Sequence, residues 1–353
     1  MKTQIFSFTF LFIFGMTSFS QNQLKDYEES YYVACDYGHP QVIVHTGNNW
    51  DILFAFKKSG PLNKLNGLGI SYTQKQIDVL CALNLLEKEN DQYRTIVTIL
   101  NEGDMKEIRL FTLTVANKII PLIKDDFSKL SAALKKEGYE KNSYTVLFSY
   151  VMDNLVWDLF ESNHILKEKE LTVENPLWDG TVWFYNTKRI FECGTNSYPI
   201  DSLLIASNWS NVSELSLTQL DYLSILKEYI KNSKINDDAL KSYFNAYGIC
   251  DENGNIKIPV IVKGDESDIV NSCNKIAQSI YDFMVNKVDY NELNNKFNIH
   301  SREDAIIIIY HDIMWDILDS MEAKGMIQKP IIFSNPEAAQ KSDLKDVLLI
   351  YQK

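Results

Sequence analysis

The hexapeptide Trp157-Asp158-Leu159-Phe160-Glu161-Ser162 recurs 158 residues later as Trp315-Asp316-Ile317-Leu318-Asp319-Ser320, and each copy closes a strongly apolar helical pattern. Upstream, Gly103-Asp104-Met105-Lys106-Glu107-Ile108 answers to Gly264-Asp265-Glu266-Ser267-Asp268-Ile269, and Ala116 and Ile119 answer to Ala277 and Ile280. Further upstream, the β-rich run Tyr93–Leu100 parallels Asn255–Val262. At the front, Cys35, Pro40 and Asn49-Trp50 match Cys193, Pro199 and Asn208-Trp209. At the back, Asn175-Pro176 matches Asn335-Pro336, and Val182–Tyr185 matches Leu348–Tyr351. Eight matches in one order, at offsets of 158 to 166, read as a tandem duplication. The second copy carries an insertion of about ten residues over Ser210–Thr218.

The chain ahead of the repeats has a different character. Residues 1–21 place one lysine before an apolar run from Ile5 to Phe14 and then small and polar residues, the order of a secretory signal cleaved near Ser20/Gln21. That run is too short to span a bilayer, and no later segment offers 18 consecutive apolar residues. The expected division is a signal over 1–21, a first repeat over 22–188 and a second over 189–353, exported to the periplasm or medium. Five cysteines remain after cleavage, an odd number at wide spacings, which suits buried thiols better than a disulfide framework; a Cys35–Cys193 bridge stays open.

Within the first copy, Asn48 or Asn49 caps a helix from Trp50 to Lys58, a short helix spans Leu62–Leu68, and Thr73 caps a third with Ile77, Leu80, Cys81, Leu83 and Leu85. A hairpin follows, turned at Asn90-Asp91. The second copy repeats the scheme with Tyr222–Ile230, Asp238–Tyr247 and a turn at Asn253-Gly254. After each hairpin come two longer helices, Met105–Leu122 and Tyr144–Glu161, then Asp268–Val285 and Arg302–Glu322, joined by polar linkers and followed by a short strand. The fold class is therefore helix-rich α+β.

Three helices and a hairpin, with Asn84-Leu85-Leu86-Glu87-Lys88 followed by Tyr93-Arg94-Thr95, resemble the third helix and wing of winged helix-turn-helix regulators of the ArsR type. The resemblance covers about 50 residues per copy and implies a scaffold more than a function. It would also imply DNA binding, which the charges oppose. The chain holds 35 basic against 47 acidic residues, a net of −12, and only four arginines: Arg94, Arg109, Arg189 and Arg302. Where phosphate would have to be met, Lys75, Lys88 and Arg94 are offset by Asp78, Glu87, Glu89 and Asp91, and the second copy offers Asp237, Asp238, Asp251 and Glu252.

No nucleophile elbow, zinc-protease helix, phosphate loop or dinucleotide fingerprint occurs. His39 and His45 flank Asp36 as conceivable metal ligands, but the second copy has Tyr198 in place of His39, so no metal is expected. The polar feature shared by both copies is a stripe, Asn154, Asp158 and Glu161 in one and Asp312, Asp316 and Asp319 in the other, spaced i, i+4, i+7. It reads first as capping and solvated carboxylates beside the core tryptophans, second as paired carboxylates for acid and base work. Trp178, Trp183 and Tyr185 read as a buried strand rather than a sugar platform. The expectation is a non-catalytic exported protein, without cofactor, that binds a protein or surface ligand. The alternatives are a hydrolase-like enzyme using the stripe and a DNA-binding regulator.

Overall fold

The computed structural model describes residues 5–6, 26–35, 39–167, 169–173, 177–186, 193–200, 203–210, 221–232, 234–335 and 347–352. Outside them lie most of the export signal, Asp36, Asn175-Pro176, Pro336 and nearly all of the proposed insertion. Two compact units are present. One takes residues 1–111, 166–189 and 289–312, the other 112–165, 190–288 and 313–353, so each unit draws on both halves of the chain. Among the described residues no helix is long and apolar enough to cross a membrane.

In the first unit, β1 (Ile5–Phe6) pairs antiparallel with β2 (Tyr27–Cys35). Helices α1 (Pro40–Val44) and α2 (Asn49–Ala55) follow. Next come β3 (Gly60–Pro61), α3 (Lys64–Gly67) and α4 (Gln74–Ala82), and then the hairpin β4 (Leu86–Glu89) and β5 (Gln92–Thr95). Thr73 caps α4 as the sequence predicts, its hydroxyl accepting from Gln76 N–H at 3.1 Å. Asn48 stands at the start of α2 but does not cap it with its side chain. Instead Gln76 Nε2 donates to Asn48 Oδ1 at 2.9 Å and to Asn49 Oδ1 at 2.7 Å, tying α2 to α4. Asn90 and Asp91 both adopt positive φ, 49° and 62°, the twist that a two-residue hairpin turn requires. β3 pairs with β5, giving a three-stranded sheet in the order β3-β5-β4.

The run Tyr93–Leu100, expected as one strand, is two strands in two sheets. Ile96 N–H still bonds Leu85 O at 3.1 Å, but Thr95 Oγ1 donates to the same carbonyl at 3.2 Å and accepts from Val97 N–H at 3.3 Å, which turns Val97 away from the hairpin and redirects the chain. β6 (Thr98–Leu100) then lies parallel to β7 (Trp178–Asn186), and β7 pairs antiparallel with β2 along its whole length. The pleat sorts the side chains. Tyr31, Val33, Trp178, Val182 and Phe184 join Ile52, Leu53, Phe56, Leu80 and Tyr93 in one core, while Tyr32, Thr181, Trp183 and Tyr185 are buried on the other face.

Helix α5 (Glu102–Lys136) is a single run of 35 residues where the sequence suggests a helix to Leu122 and a polar linker. Buried Ile119, Ile123, Phe127, Leu130 and Leu134 continue its apolar stripe through the polar composition. A helical run over residues 143–162, here α6, follows; its middle, Val146–Leu155, is a π-helix and is fully buried from Val146 to Met152.

The second unit contains β8 (Cys193–Ile200), β9 (Leu203–Ser210), α7 (Tyr222–Asn232), α8 (Asp238–Ala246), β10 (Val260–Lys263) and α9 (Asp268–Lys287). Helix α10 (Tyr290–Phe297) and the first half of α11 (Arg302–Ala323) belong to the first unit; α12 (Ile331–Ser334) and β11 (Val347–Gln352) return to the second. The sheet order is β8-β9-β11-β10, with β9 antiparallel and β10 parallel to β11. This is the order and sense of β1-β2-β7-β6. Isolated bridges Lys234↔Asn255 and Cys250↔Ile256 stand where the first unit has β3-β5 and β4-β5.

Not all of the residue matches hold. Asn49-Trp50 begins a helix whereas Asn208-Trp209 lies in β9, and Cys35 ends β2, whose counterpart by sheet order is β9, not the β8 that holds Cys193. The front matches therefore fail, because Cys193–Ile200 and Leu203–Ser210 form strands where Pro40–Val44 and Asn49–Ala55 form helices. Ile99 and Phe184 face one core and Val260 and Leu349 the other in the same paired relation, so the strand matches move by one residue, the slip that exchanges the faces of a strand. The Cys193 side chain lies outside the described residues, and so does the question of a bridge to Cys35.

Gly180 pairs with Val33 at φ 151°, and a Cβ there would collide with the Tyr32 carbonyl and the Val33 backbone. Gly180→Ala should cost about 2–4 kcal/mol, read as a lower urea midpoint; an unchanged midpoint would contradict this account of the β2-β7 contact.

Candidate functional site

The stripe residues fall into different surroundings. Asp158 is exposed and pairs with Lys263 Nζ at 3.3 Å. Asp316, its counterpart, is buried at 7% exposure. Asp319 is exposed and held by Lys329 Nζ at 3.3 Å, which also reaches Glu322 at 3.1 Å. Asn154 lies in the π-helical stretch with its Oδ1 buried and without a hydrogen bond, and Glu161 is half-buried. Asp312 belongs to the first unit, where its charge acts on Tyr185. The i, i+4 stacking assumed for Asn154 over Asp158 requires α geometry, whereas Val156 N–H still bonds Val151 O, five residues back. Among the described residues no group of three or more His, Cys, Asp or Glu side chains is placed to hold a metal ion.

One residue ahead of each stripe stand Asp153 and His311, equivalent at the offset of 158, and both are perturbed. Burial raises the Asp153 carboxyl to about 7, with the Trp157 side chain acting against the shift. Burial lowers His311 to about 4, opposed by its Nδ1 contact with Ile307 O at 2.7 Å. His311 packs edge-on to Tyr32 and tilted against Trp183, centroids 6.2 and 5.2 Å away. Thr181 Oγ1 donates to Asp304 Oδ1 at 2.6 Å on the same strand face. These neighbours show why Trp183 and Tyr185 are buried: the start of α11 covers their side of β7.

The signs of the two shifts oppose each other. Above the ordinary aspartate value near 3.9 the unfolded chain loses the proton that folded Asp153 keeps until about 7, so this group lowers stability progressively across that interval. Below about 6.5 the unfolded chain takes up a proton that folded His311 refuses until about 4, so His311 lowers stability as pH falls. Asp153→Asn should therefore stabilise the protein by about 2–4 kcal/mol at pH 8 and by nothing below pH 3.5. Urea unfolding at the two pH values checks this, and a pH-independent gain would contradict it.

A second polar cluster lies where β2 meets α1, within the first unit. Glu29 and Tyr31 alternate along β2 onto one face, and His39 and His45 stand at the two ends of α1. Glu29 Oε1 accepts from Gln41 Nε2 and from His45 Nε2, each at 2.8 Å. His45 stacks on Trp50, 5.6 Å between centroids at 12°. Tyr31 packs edge-on to His39 at 4.8 Å, and its hydroxyl is pushed well above the usual tyrosine range by burial and by the adjoining Glu29 carboxylate. His39 Nδ1 accepts Gln41 N–H at 3.2 Å, so in the neutral ring the proton sits on Nε2. Burial lowers the His39 pKa and favours that neutral form. That tautomer leaves no lone pair at Nε2 for a metal, a physical reason against the ligand role considered for His39. The histidines are joined through Glu29, which no sequence spacing announces, since Glu29 and His45 are 16 residues apart.

The Glu29 hydrogen bond raises the His45 pKa against the opposing effect of burial. That pair stabilises the fold below the ordinary histidine value and is lost as pH rises through the folded one. Glu29→Gln should lower the His45 pKa in an NMR titration, since the opposing effect of burial remains; an unmoved His45 would show that the carboxylate is not the cause. The pair can orient an imidazole, but among the described residues no hydroxyl, thiol or amine is hydrogen-bonded to either ring. Compared with family models, curated proteins and solved structures, the chain matches none.

Proposed function

We propose that the chain is an exported binding protein without catalytic activity, built from two winged-helix-like repeats that recognise a protein or a surface ligand. The observation that carries the reading is the strand set β2-β7-β6 in the first unit and β9-β11-β10 in the second, with one order, one set of strand senses and matching core faces; β1 lies within the proposed signal and is not counted. Chance convergence on the same mixed pairing in both halves is a poorer account than duplication. The winged-helix part draws support from α2, β3, α3 and α4 followed by the β4-β5 hairpin, with β3 closing the sheet against β5. In the second half α7, the Lys234 bridge, α8 and the Cys250↔Ile256 bridge keep that order without the short helix.

The hairpin charges support a role other than DNA binding. Lys88 is paired with Asp91 at 3.0 Å, and Arg94 has Glu87 at 3.8 Å, so the wing cations stand beside carboxylates of their own hairpin. The chain recovered from the exported fraction should begin near Gln21 and pass through immobilised duplex DNA at low ionic strength without salt-sensitive retention. An intact Met1 in the cytoplasm would remove the export reading, and retention released by salt would replace the binding role with a regulator's.

A further inference from the structure

Where β5 gives way to β6, the first unit has an open cleft lined by Lys57 beyond the end of α2, Arg94 of β5, and Asn298 and His300 between α10 and α11. No acidic side chain lines it, in a chain with 47 acidic residues against 35 basic ones. Lys57 is half-buried and makes no side-chain hydrogen bond or ion pair among the described residues. Burial pulls its ammonium below the ordinary lysine value; Asp104 opposes this from a distance and Lys58 adds to it. Asp104 is committed elsewhere, accepting from Asn101 N–H at 2.9 Å at the start of α5. Among the described residues Arg94 has a single ion pair, through Nε to Glu87 at 3.8 Å. His300 carries no side-chain hydrogen bond or ion pair among the described residues. The cleft thus holds one half-buried ammonium, Lys57, without a counter-ion among the described residues, beside the Arg94 guanidinium, which meets Glu87 through Nε alone, and the exposed His300 ring; an incoming anion would offset the cost of the buried lysine.

We propose that this cleft binds a small oxyanion, a phosphate or carboxylate group, between Lys57, Arg94 and His300. A guanidinium supplies a planar donor fork and lysine a point charge, the combination that holds either oxyanion, with the Asn298 amide as a neutral donor at the rim. The inference gives the binding role proposed above a ligand class and rests on that role. The export and repeat readings are tested separately, by the N-terminus of the mature chain and by the sheets.

The test titrates the full chain with inorganic phosphate, and in a second arm with acetate, against chloride at equal ionic strength, following the thermal midpoint. A saturable rise with phosphate alone assigns a phosphate ligand, and one with acetate alone a carboxylate. Either rise should weaken at least tenfold in apparent affinity in Arg94→Gln and in Lys57→Gln. A response to both anions no greater than to chloride overturns the proposal, as does a rise undiminished in both variants. Should a variant fold poorly, the wild-type His300 ring resonances provide the second measurement: they move on saturation if the anion sits in the cleft, and if they stay fixed the site is wrong.

Discussion

The backbone pairing of β7 with β2 on one edge and β6 on the other is the constraint from which the first unit follows. β2 and β7 are separated by about 150 residues, so their ladder carries a loop-closure cost that the contacts made on its faces must offset. Once closed, it presents two faces. One receives the helices and hairpin of residues 40–95, the other the start of α11. β11 stands in the same position in the second unit, between β9 and β10, with Val347 and Leu349 turned to Phe244, Ile249 and Ile258. A central strand paired on both edges is buried on both faces, which is why Val347, Leu348, Leu349 and Ile350 run apolar without alternation.

Buried ionisable groups cluster on the elements that cover these sheets. His311 is held neutral under the weight of Tyr32 and Trp183, and Asp153 keeps its proton inside a helix whose i→i+5 bonds widen the backbone. An acid in one unit and a base in the other are thus both accommodated in burial by staying uncharged. The polar cluster at Glu29 works differently: its carboxylate accepts from Gln41 and from His45, and the His45 bond raises the pKa of that imidazole. Among the described residues no nucleophile is hydrogen-bonded to His39 or His45, and both arrangements are intelligible as ways of burying polar groups against a sheet.

Much of the architecture was legible in residue types. Thr73 before an apolar run, Asn90-Asp91 between two β-prone stretches, and the repeated Trp-Asp hexapeptide all mark local events whose physics is complete within a few residues. The candidate sites were not legible in the same way. The carboxylate stripe was drawn with α-helical spacing, and the π segment ending at Leu155 breaks that spacing for a reason that lies in packing rather than in the sequence of the stripe. Glu29 was passed over because a glutamate on an alternating strand looks like a solvated position until α1 covers it.

By itself the sequence determined the helix-rich α+β class and the excess of acidic over basic residues, because caps, turns and periodicity are set by near neighbours and charge is a matter of composition. Only the tertiary structure decided which strand of the second half answers to β2, where Tyr93–Leu100 breaks, that residues 102–136 form one helix, and that compact units exchange segments between the halves. Those outcomes depend on partners more than a hundred residues apart. A one-residue register shift, invisible to local propensity, decides there whether an entire strand face meets the core or turns away from it.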